Sequence, residues 1–279
     1  MAKDWKGLSK RLVSHVGLRT KPVGLKFFKR ADELKNIKGI ERPAFKRTIC
    51  QFIGSARFLG QAWGATTEDQ LCPGGALCVG VSSDIPEAYI SGTMYSESWK
   101  IATTEVGRLL AEGQPKNKDK FEAFAIMPLD GVRGADQITF EPDLVIIYGE
   151  PGSIGLLILP ICAALGIPAF EGRVLGETAV CADGIAACWN TGEPKFFLPC
   201  IGDRAFGGTL PSEVAIVLPA DILNEAIVSN CEKFSFPLNQ TLRAPLGASS
   251  KIMKSFRAQG KSTAAGLKKG TPVIPDEES

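Results

Sequence analysis

Apolar residues near the start of the chain recur at helical spacing, and a strand and a second helix follow. Four of them predict a helix over residues 4–18: Trp5, Leu8, Leu12 and Val16. Residues 21–28 alternate apolar with small or polar side chains after a proline, which predicts a strand. The pattern of residues 48–63 predicts a helix with Cys50 near its start, and residues 64–80 are predicted to form a loop.

The rest of the chain continues to mix strand and helix patterns. Residues 121–129 predict a strand, and the unbroken apolar run Leu144–Gly149 favours a covered strand, as in parallel pairing. Residues 153–165 predict a helix or a strand broken by Pro160. Further elements are predicted as helices at 98–110, 178–187 and 219–230 and as strands at 167–172, 195–198 and 213–218. The predicted fold class is α/β, or α+β, with mixed sheets covered by helices.

The two halves of the chain repeat one order of features. In the first, a helix with Cys50 precedes Cys72 in C-P-G-G, and a strand then ends in Met-Pro-Leu-Asp. In the second, a helix with Cys181 precedes Cys200 in C-I-G-D, and a strand then ends in Leu-Pro-Ala-Asp. This order predicts two related halves packed about a pseudo-twofold, with chance resemblance as the alternative.

The pattern divides the chain into four segments. Residues 1–20 form a basic N-terminal helix, and residues 21–140 and 141–245 form the two α/β halves. Residues 246–279 are predicted to be a basic tail with a short helix and a mobile, polar end.

Charge is distributed unevenly along the chain. The net charge is only +2, yet residues 1–47 carry 14 Lys and Arg against 4 Asp and Glu, and residues 48–250 carry 12 against 23. Basic ends around an acidic body can bind nucleic acid or anionic lipid, or they can pack on that body or on a partner subunit. Since no nucleic-acid-binding signature accompanies the charge, packing is the favoured interpretation, and self-association or a partner subunit is expected.

The composition, 44% hydrophobic and 22% charged, is that of a globular protein and excludes wholesale disorder. No signal-peptide pattern follows Met1, and the longest apolar run, residues 154–165, is too short to span a membrane. A cytoplasmic protein without a membrane partner is therefore expected, with its eight cysteines reduced.

Five cysteines are the candidate metal ligands: Cys50, Cys72, Cys78, Cys181 and Cys200. If the two halves face each other, two cysteines from each would meet at the junction, and four thiolates suit an iron–sulfur cluster, most simply [4Fe–4S], or a structural zinc. The spacing fits no standard zinc-finger or ferredoxin run, so buried structural thiols and a catalytic or redox thiol stay open.

Other polar residues suggest catalysis or substrate binding. Glu177 and Asp183 are candidate general bases if burial raises their pKa, and Arg204 is a candidate clamp for a carboxylate or phosphate, or an ion-pair partner of Asp203. Arg57 and Tyr95 are further candidates for substrate binding.

The turn after the buried strand offers another candidate binding element. Gly149, Gly152 and Ser153 could present backbone amides to an anion at a helix N-terminus, although a plain strand-to-helix turn is favoured. The one histidine, His15, lies in the N-terminal helix, where a half-exposed structural position is favoured over catalysis.

Several segments together resemble one uncharacterised archaeal and bacterial family, domain of unknown function 169. The resemblance spans roughly residues 10–230 and rests on PVGLKFF, CQFIGSAR, FAIMPLD, PDLVIIYGEP, LPCIGDR and EVAIVLP. It implies a cytoplasmic protein common in anaerobes, with family cysteines at Cys50, at Cys72 or Cys78, at Cys181 and at Cys200. It implies no established reaction.

Three functions follow from these patterns. The favoured one is an iron–sulfur enzyme acting on a small hydroxylated or carboxylated substrate, as a lyase or hydratase or in sulfur handling. The second is an electron-transfer or accessory metal-binding subunit. The third is a metal-free protein that binds a small molecule or another protein, with its cysteines in the core.

Overall fold

The computed structural model describes residues 3–84, 86–98, 100, 103–131 and 140–233. Seven strands of this part form one sheet in the order β2-β3-β1-β4-β7-β6-β5. Their bounds are β1 Val23–Phe28, β2 Trp63–Thr66, β3 Ala123–Pro128, β4 Leu144–Gly149, β5 Glu171–Arg173, β6 Lys195–Phe197 and β7 Val214–Pro219. The mixed α/β fold class is confirmed.

Neighbouring strands are antiparallel except at one edge, where β5 and β6 run parallel. β4 lies in the middle of the sheet, with Val145 opposite Gly24 of β1 and Leu218 of β7, antiparallel to both. The prediction of parallel pairing for β4, which rested on its apolar run, is therefore wrong. The run reflects burial on both faces, which an antiparallel strand also experiences when helices cover both sides.

Helices cover both faces of the sheet. Their bounds are α1 Trp5–Val16, α2 Ile49–Gly54, α3 Pro73–Cys78, α4 Glu87–Ile90, α5 Thr104–Gly113, α6 Pro151–Leu165, α7 Ala187–Thr191, α8 Ile201–Ala205 and α9 Glu225–Lys233. π-helical turns at Ser55–Leu59, Met94–Ser98 and Val180–Ala186 extend or connect them, and 3₁₀ turns lie at Ala31–Asn36 and Thr67–Asp69.

Residues 64–80, predicted as a loop, contain the end of β2, a 3₁₀ turn and α3. Two glycines in α3 weaken its helical sequence pattern, which is why it was predicted as a loop. Cys72 at its N-cap and Pro73 at its first position are nevertheless typical of the start of a helix. Some helix boundaries also differ from the predicted ones, since α5 and α9 begin six residues later than predicted. The predicted break at Pro160 is absent, because α6 continues through this residue.

The strand order places the two halves side by side. β1 and β4 are neighbours at the centre of the sheet. On one side, β3 and then β2 follow β1, and on the other side, β7, β6 and β5 follow β4. The counterpart of β1 in this order is thus β4, not the strand predicted at 167–172. The pseudo-twofold rotation and the segment boundaries stay predictions, and the helix predicted after residue 246 lies outside the described residues.

The basic N-terminal helix packs on acidic groups of the same chain. Arg11 pairs with Glu225 and Glu232 of α9, each at 2.5 Å, and Lys3 donates to the carbonyl of Ala220 at 2.9 Å. His15, half-buried on α1, lies close enough to Glu232 to help lower the pKa of that carboxyl, after the larger effect of Arg11. Arg11 and Lys3 are therefore engaged within the chain.

One core cluster fills the face of the sheet that carries the cysteines. Alternate residues of β4, Leu144, Ile146 and Tyr148, point to this face, together with Cys181 and Cys200. No helix among the described residues is long and apolar enough to cross a membrane.

Helix α2 meets the turn after α8 through two glycines. A Cβ on Gly54 would lie 2.5 Å from the carbonyl oxygen of Gly207. Gly54→Ala is therefore expected to destabilise the fold by about 1–3 kcal/mol, because backbone must move to accept the methyl group. Denaturant unfolding measures the change.

The matched control is Gly155→Ala in α6, where the added methyl would meet nothing within 4 Å. There the higher helix propensity of alanine is expected to raise stability by up to about 1 kcal/mol. Equal unfolding midpoints for Gly54→Ala and the wild type would contradict the close approach.

Candidate functional site

Four of the predicted cysteines converge from four different helical elements. Cys50 lies in the first turn of α2, Cys72 caps the N-terminus of α3, Cys181 lies in the π-helical turn before α7, and Cys200 caps α8. Cys181 and Cys200 are each only 3% exposed, whereas Cys50 and Cys72 are partly accessible. The sheet thus brings together residues up to 150 positions apart.

Two glycines lie between pairs of these sulfurs. A Cβ on Gly75 would lie 3.2 Å from Cys181 Sγ and 3.4 Å from Cys72 Sγ. A Cβ on Gly202 would lie 3.5 Å from Cys200 Sγ and 3.8 Å from Cys50 Sγ. A Cβ on Gly75 would therefore be in tight contact with the sulfur of Cys181, whereas a Cβ on Gly202 would make ordinary van der Waals contacts with both of its sulfurs.

Direct contacts also connect the thiols. The thiol of Cys181 donates to the sulfur of Cys50, and this hydrogen bond, followed by burial, raises the pKa of Cys181 well above its usual value. The same bond lowers the pKa of Cys50, but burial and the nearby Asp203 carboxylate outweigh it and raise that pKa overall. The N–H of Gly75 donates to Cys72 Sγ at 3.3 Å. The free thiols are therefore protonated near neutral pH.

Asp203 lies among the cysteines on the core side. Its side chain is 1% exposed, accepts the N–H of Cys200 at 3.1 Å, and accepts the hydroxyl of Tyr148 at 3.4 Å. Burial raises the pKa of this carboxyl. The sequence carried a signal for the contact, because an acidic residue three positions after an N-cap is the spacing of a capping box.

Glu177, a predicted general base, lies near Cys72. Burial, helped by the Asp203 carboxylate, raises the pKa of Glu177 to about 7, and the charge of Glu177 contributes to raising the pKa of Cys72 after the larger effect of burial. The following residue, Thr178, has φ +54°, a strained conformation for a β-branched residue. Such strain is concentrated at functional sites.

Cys78 and Tyr95 lie at the other end of α3 and are joined through Gln114. The thiol of Cys78 lies 3.7 Å from Gln114 Oε1, and Gln114 Nε2 donates to the Tyr95 hydroxyl at 2.6 Å and to Thr178 Oγ1 at 2.9 Å. Burial raises the pKa of Cys78 to about 12. Of the two cysteines that the sequence could not separate, Cys72 is the one beside Cys181.

Asp183 lies two residues after Cys181 and is also 1% exposed. Its Oδ2 accepts the N–H of Leu175 at 3.4 Å, whereas its Oδ1 has no partner among the described residues. Burial raises the pKa of this carboxyl.

Two predicted arginines are engaged in structural contacts. Arg57 is 2% exposed and donates to Thr20 at 3.1 Å, Thr209 at 3.0 Å and Glu213 at 2.5 Å, with its guanidinium 3.8 Å from the centroid of the Tyr148 ring. Arg204 donates to the carbonyl of Leu210 at 2.6 Å. Arg57 packs against the ring of Tyr148, which contacts the site, and Arg204 stabilises the turn after α8.

Gly149, Gly152 and Ser153 form the turn from β4 into α6. A Cβ on Gly149 would lie 2.9 Å from a methyl group of Leu18, so this glycine allows the N-terminal segment to pack closely. Glu150, which caps α6, pairs with Arg19 at 2.6 Å. Gly149 and Glu150 are thus engaged with the N-terminal segment, and anion binding at this turn stays a prediction.

The cysteine arrangement can be compared with what metals require. No three Cys, His, Asp or Glu side chains in the described ranges are placed to hold a single metal ion. A single zinc needs every sulfur about 2.3 Å from one point, whereas a [4Fe–4S] cluster bonds each thiolate to a different iron and accepts a wider set. Four cysteine thiols from separate elements are the ligand type that such a cluster takes.

Comparison with known proteins places the chain in a family. The sequence model of domain of unknown function 169, described as "Uncharacterised ArCR", matches residues 11–229. "Uncharacterized protein MJ0308" of Methanocaldococcus jannaschii is 28% identical over 226 residues, covering 81% of this chain and 93% of that protein. No solved structure matches the chain. The chain belongs to the domain of unknown function 169 family.

Proposed function

We propose that three of the four thiols of Cys50, Cys72, Cys181 and Cys200 bind an iron–sulfur cluster, most simply [4Fe–4S], with one iron left without a protein ligand, and that the protein is an enzyme acting at this site. The observation that carries the proposal is the convergence of these four thiols from four elements around Gly75 and Gly202. Such a cluster supplies electron storage or, at an iron without a protein ligand, Lewis-acid chemistry.

The protein groups around the thiols support an enzyme. Glu177, with its pKa raised to about 7 by burial and by Asp203, can both accept and donate a proton near neutral pH. Cys50 and Cys72 are partly accessible, so a small hydroxylated or carboxylated molecule can approach the site from their side. Lyase or hydratase chemistry and sulfur handling both use these capacities.

Electron transfer is the second candidate function, because four thiols satisfy all four irons of a cluster and leave no open position. The number of cysteines that the cluster needs separates the two functions. Three required thiolates favour catalysis at an open iron, and four required thiolates favour electron transfer.

The first experiment is purification without oxygen, followed by analysis of iron, acid-labile sulfide and zinc and by a visible spectrum. About four irons and four sulfides per chain, with thiolate-to-iron absorption, are expected. One zinc without sulfide would replace the cluster with a thiolate–zinc site. A folded chain with neither metal, also after reconstitution with iron and sulfide, would overturn the proposal.

A further inference from the structure

A groove on the surface lies between α2 with its π-helical turn and the turn after α8. Its volume is about 420 Å³, within the usual size of small-molecule sites. Phe45, Phe58, Leu59 and Phe206 form its apolar walls, and Arg47 is its charged residue. We call it the aromatic groove.

The apolar walls are unusually exposed for such large side chains. Phe45 is 65%, Phe58 47%, Leu59 56% and Phe206 52% exposed. Isolated exposed apolar residues are ordinary, but several of them around one concave surface mark a binding site.

Arg47 is held in place by two aromatic rings and a serine, without an acidic partner among the described residues. Its guanidinium lies 4.3 Å from the centroid of the Trp63 ring and 4.8 Å from that of Phe45, and Nη1 donates to Ser55 Oγ at 3.2 Å. In the part of the chain that the structure describes, its buried Nε has no hydrogen-bond partner and no carboxylate pairs with it. A cation fixed between aromatic rings and without a carboxylate partner among the described residues is suited to an anion.

The groove is adjacent to the cysteine site. Gly207, which lines the groove, lies so close to α2 that a Cβ on it would be 3.3 Å from Cβ of Cys50. A ligand in the groove is thus separated from Cys50 by little more than the backbone of Gly207.

We propose that the aromatic groove binds a small organic anion. Its carboxylate or phosphate pairs with Arg47, and its apolar, preferably aromatic, body packs between Phe58 and Phe206. The ligand needs both parts, because Arg47 binds an anionic group and the aromatic walls bind an apolar one. A bare anion lacks the second contact, and a neutral apolar molecule lacks the first. This proposal does not depend on the proposed iron–sulfur cluster.

Calorimetry of the full chain with phenylacetate and with phenyl phosphate tests it, and the tighter of the two identifies the anion class. Phenylacetamide lacks the charge, and acetate and inorganic phosphate lack the ring. At least one aromatic anion is expected to bind about tenfold or more tightly than these controls. Phenylacetamide loses the charge-assisted hydrogen bond, and acetate and inorganic phosphate lose the burial of the ring.

Arg47→Gln is expected to weaken this binding about tenfold, and Phe58→Ala is expected to weaken it as well. The matched control is Arg42→Gln, because Arg42 belongs to the same segment but pairs with Asp69 at 2.6 Å outside the groove. If Arg47→Gln does not fold, Arg47→Lys serves, since it keeps the charge and loses the planar fork.

Three outcomes would overturn the proposal. The first is no binding of either aromatic anion, and the second is equal binding of phenylacetamide. The third is a dimer in solution that Phe58→Ser or Phe206→Ser dissociates, which would make the groove an interface between copies of the chain.

Discussion

Replacing Cys181 with serine is expected to remove the thiolate-to-iron absorption and most of the bound iron, whereas replacing Cys188 with serine leaves both unchanged. Both cysteines are buried and lie in one helical stretch, Val180–Thr191, two turns apart. Of the two, only Cys181 contacts Cys50 and lies beside Gly75 and Cys72. A hydroxyl is a poor ligand for cluster iron, so the effect depends on position, not on cysteine content.

Helix α3 offers a second matched pair. Cys72→Ser at its N-terminus is expected to lose iron, and Cys78→Ser at its C-terminus is expected to keep it. Iron and sulfide analysis, with circular dichroism as a check of folding, measures both pairs. Equal iron in Cys181→Ser and Cys188→Ser, with all variants folded, would contradict the assignment of the ligands.

Replacing Arg57 with alanine is expected to destabilise the protein by about 3–5 kcal/mol, because it leaves the carboxylate of Glu213 buried without its partner. The two side chains are 1% and 2% exposed and lie 2.5 Å apart. Loss of the guanidinium also removes the contact with Tyr148, whose hydroxyl donates to Asp203 beside the cysteines. Denaturant unfolding measures the loss.

The double variant Arg57→Met with Glu213→Leu tests the cause. Since it removes both charges and keeps apolar volume, it is expected to recover most of the lost stability. Arg204→Ala is the control for loss of a less buried arginine and is expected to change stability by less than about 1 kcal/mol. A single variant Arg57→Ala as stable as the wild type would show that the pair contributes nothing.

The helices and strands with regular apolar spacing were predictable from the chain alone. α1, β1, β3, β4 and β7 lie close to their predicted positions, since each repeats its pattern over several residues. β2 has four residues and α3 carries two glycines, so neither has enough pattern to stand out from a loop. The direction of β4 was not predictable, because an apolar run records burial and not the course of its neighbours.

The residues of the candidate site were likewise predictable from the sequence only in part. The repeated order of features along the chain is enough to select Cys50, Cys181, Cys200 and the pair Cys72 and Cys78 as candidates, because that order is a property of the sequence. The separation of Cys72 from Cys78 and the position of Asp203 needed the fold, since each depends on which way a helix end faces. Arg57 illustrates the limit: its residue type suggested a clamp for substrate, and its neighbours in space make it a buried support.

The chain by itself determined its fold class, its family resemblance and the residue types available for chemistry, because local spacing and composition carry that information. Only the tertiary structure decided which side chains meet. Cys50 and Cys181 come into contact because the segment between β1 and β2 and the segment between β5 and β6 cover the same face of one sheet. Contacts across more than a hundred residues arise from strand order, and strand order is a result of packing the whole core at once.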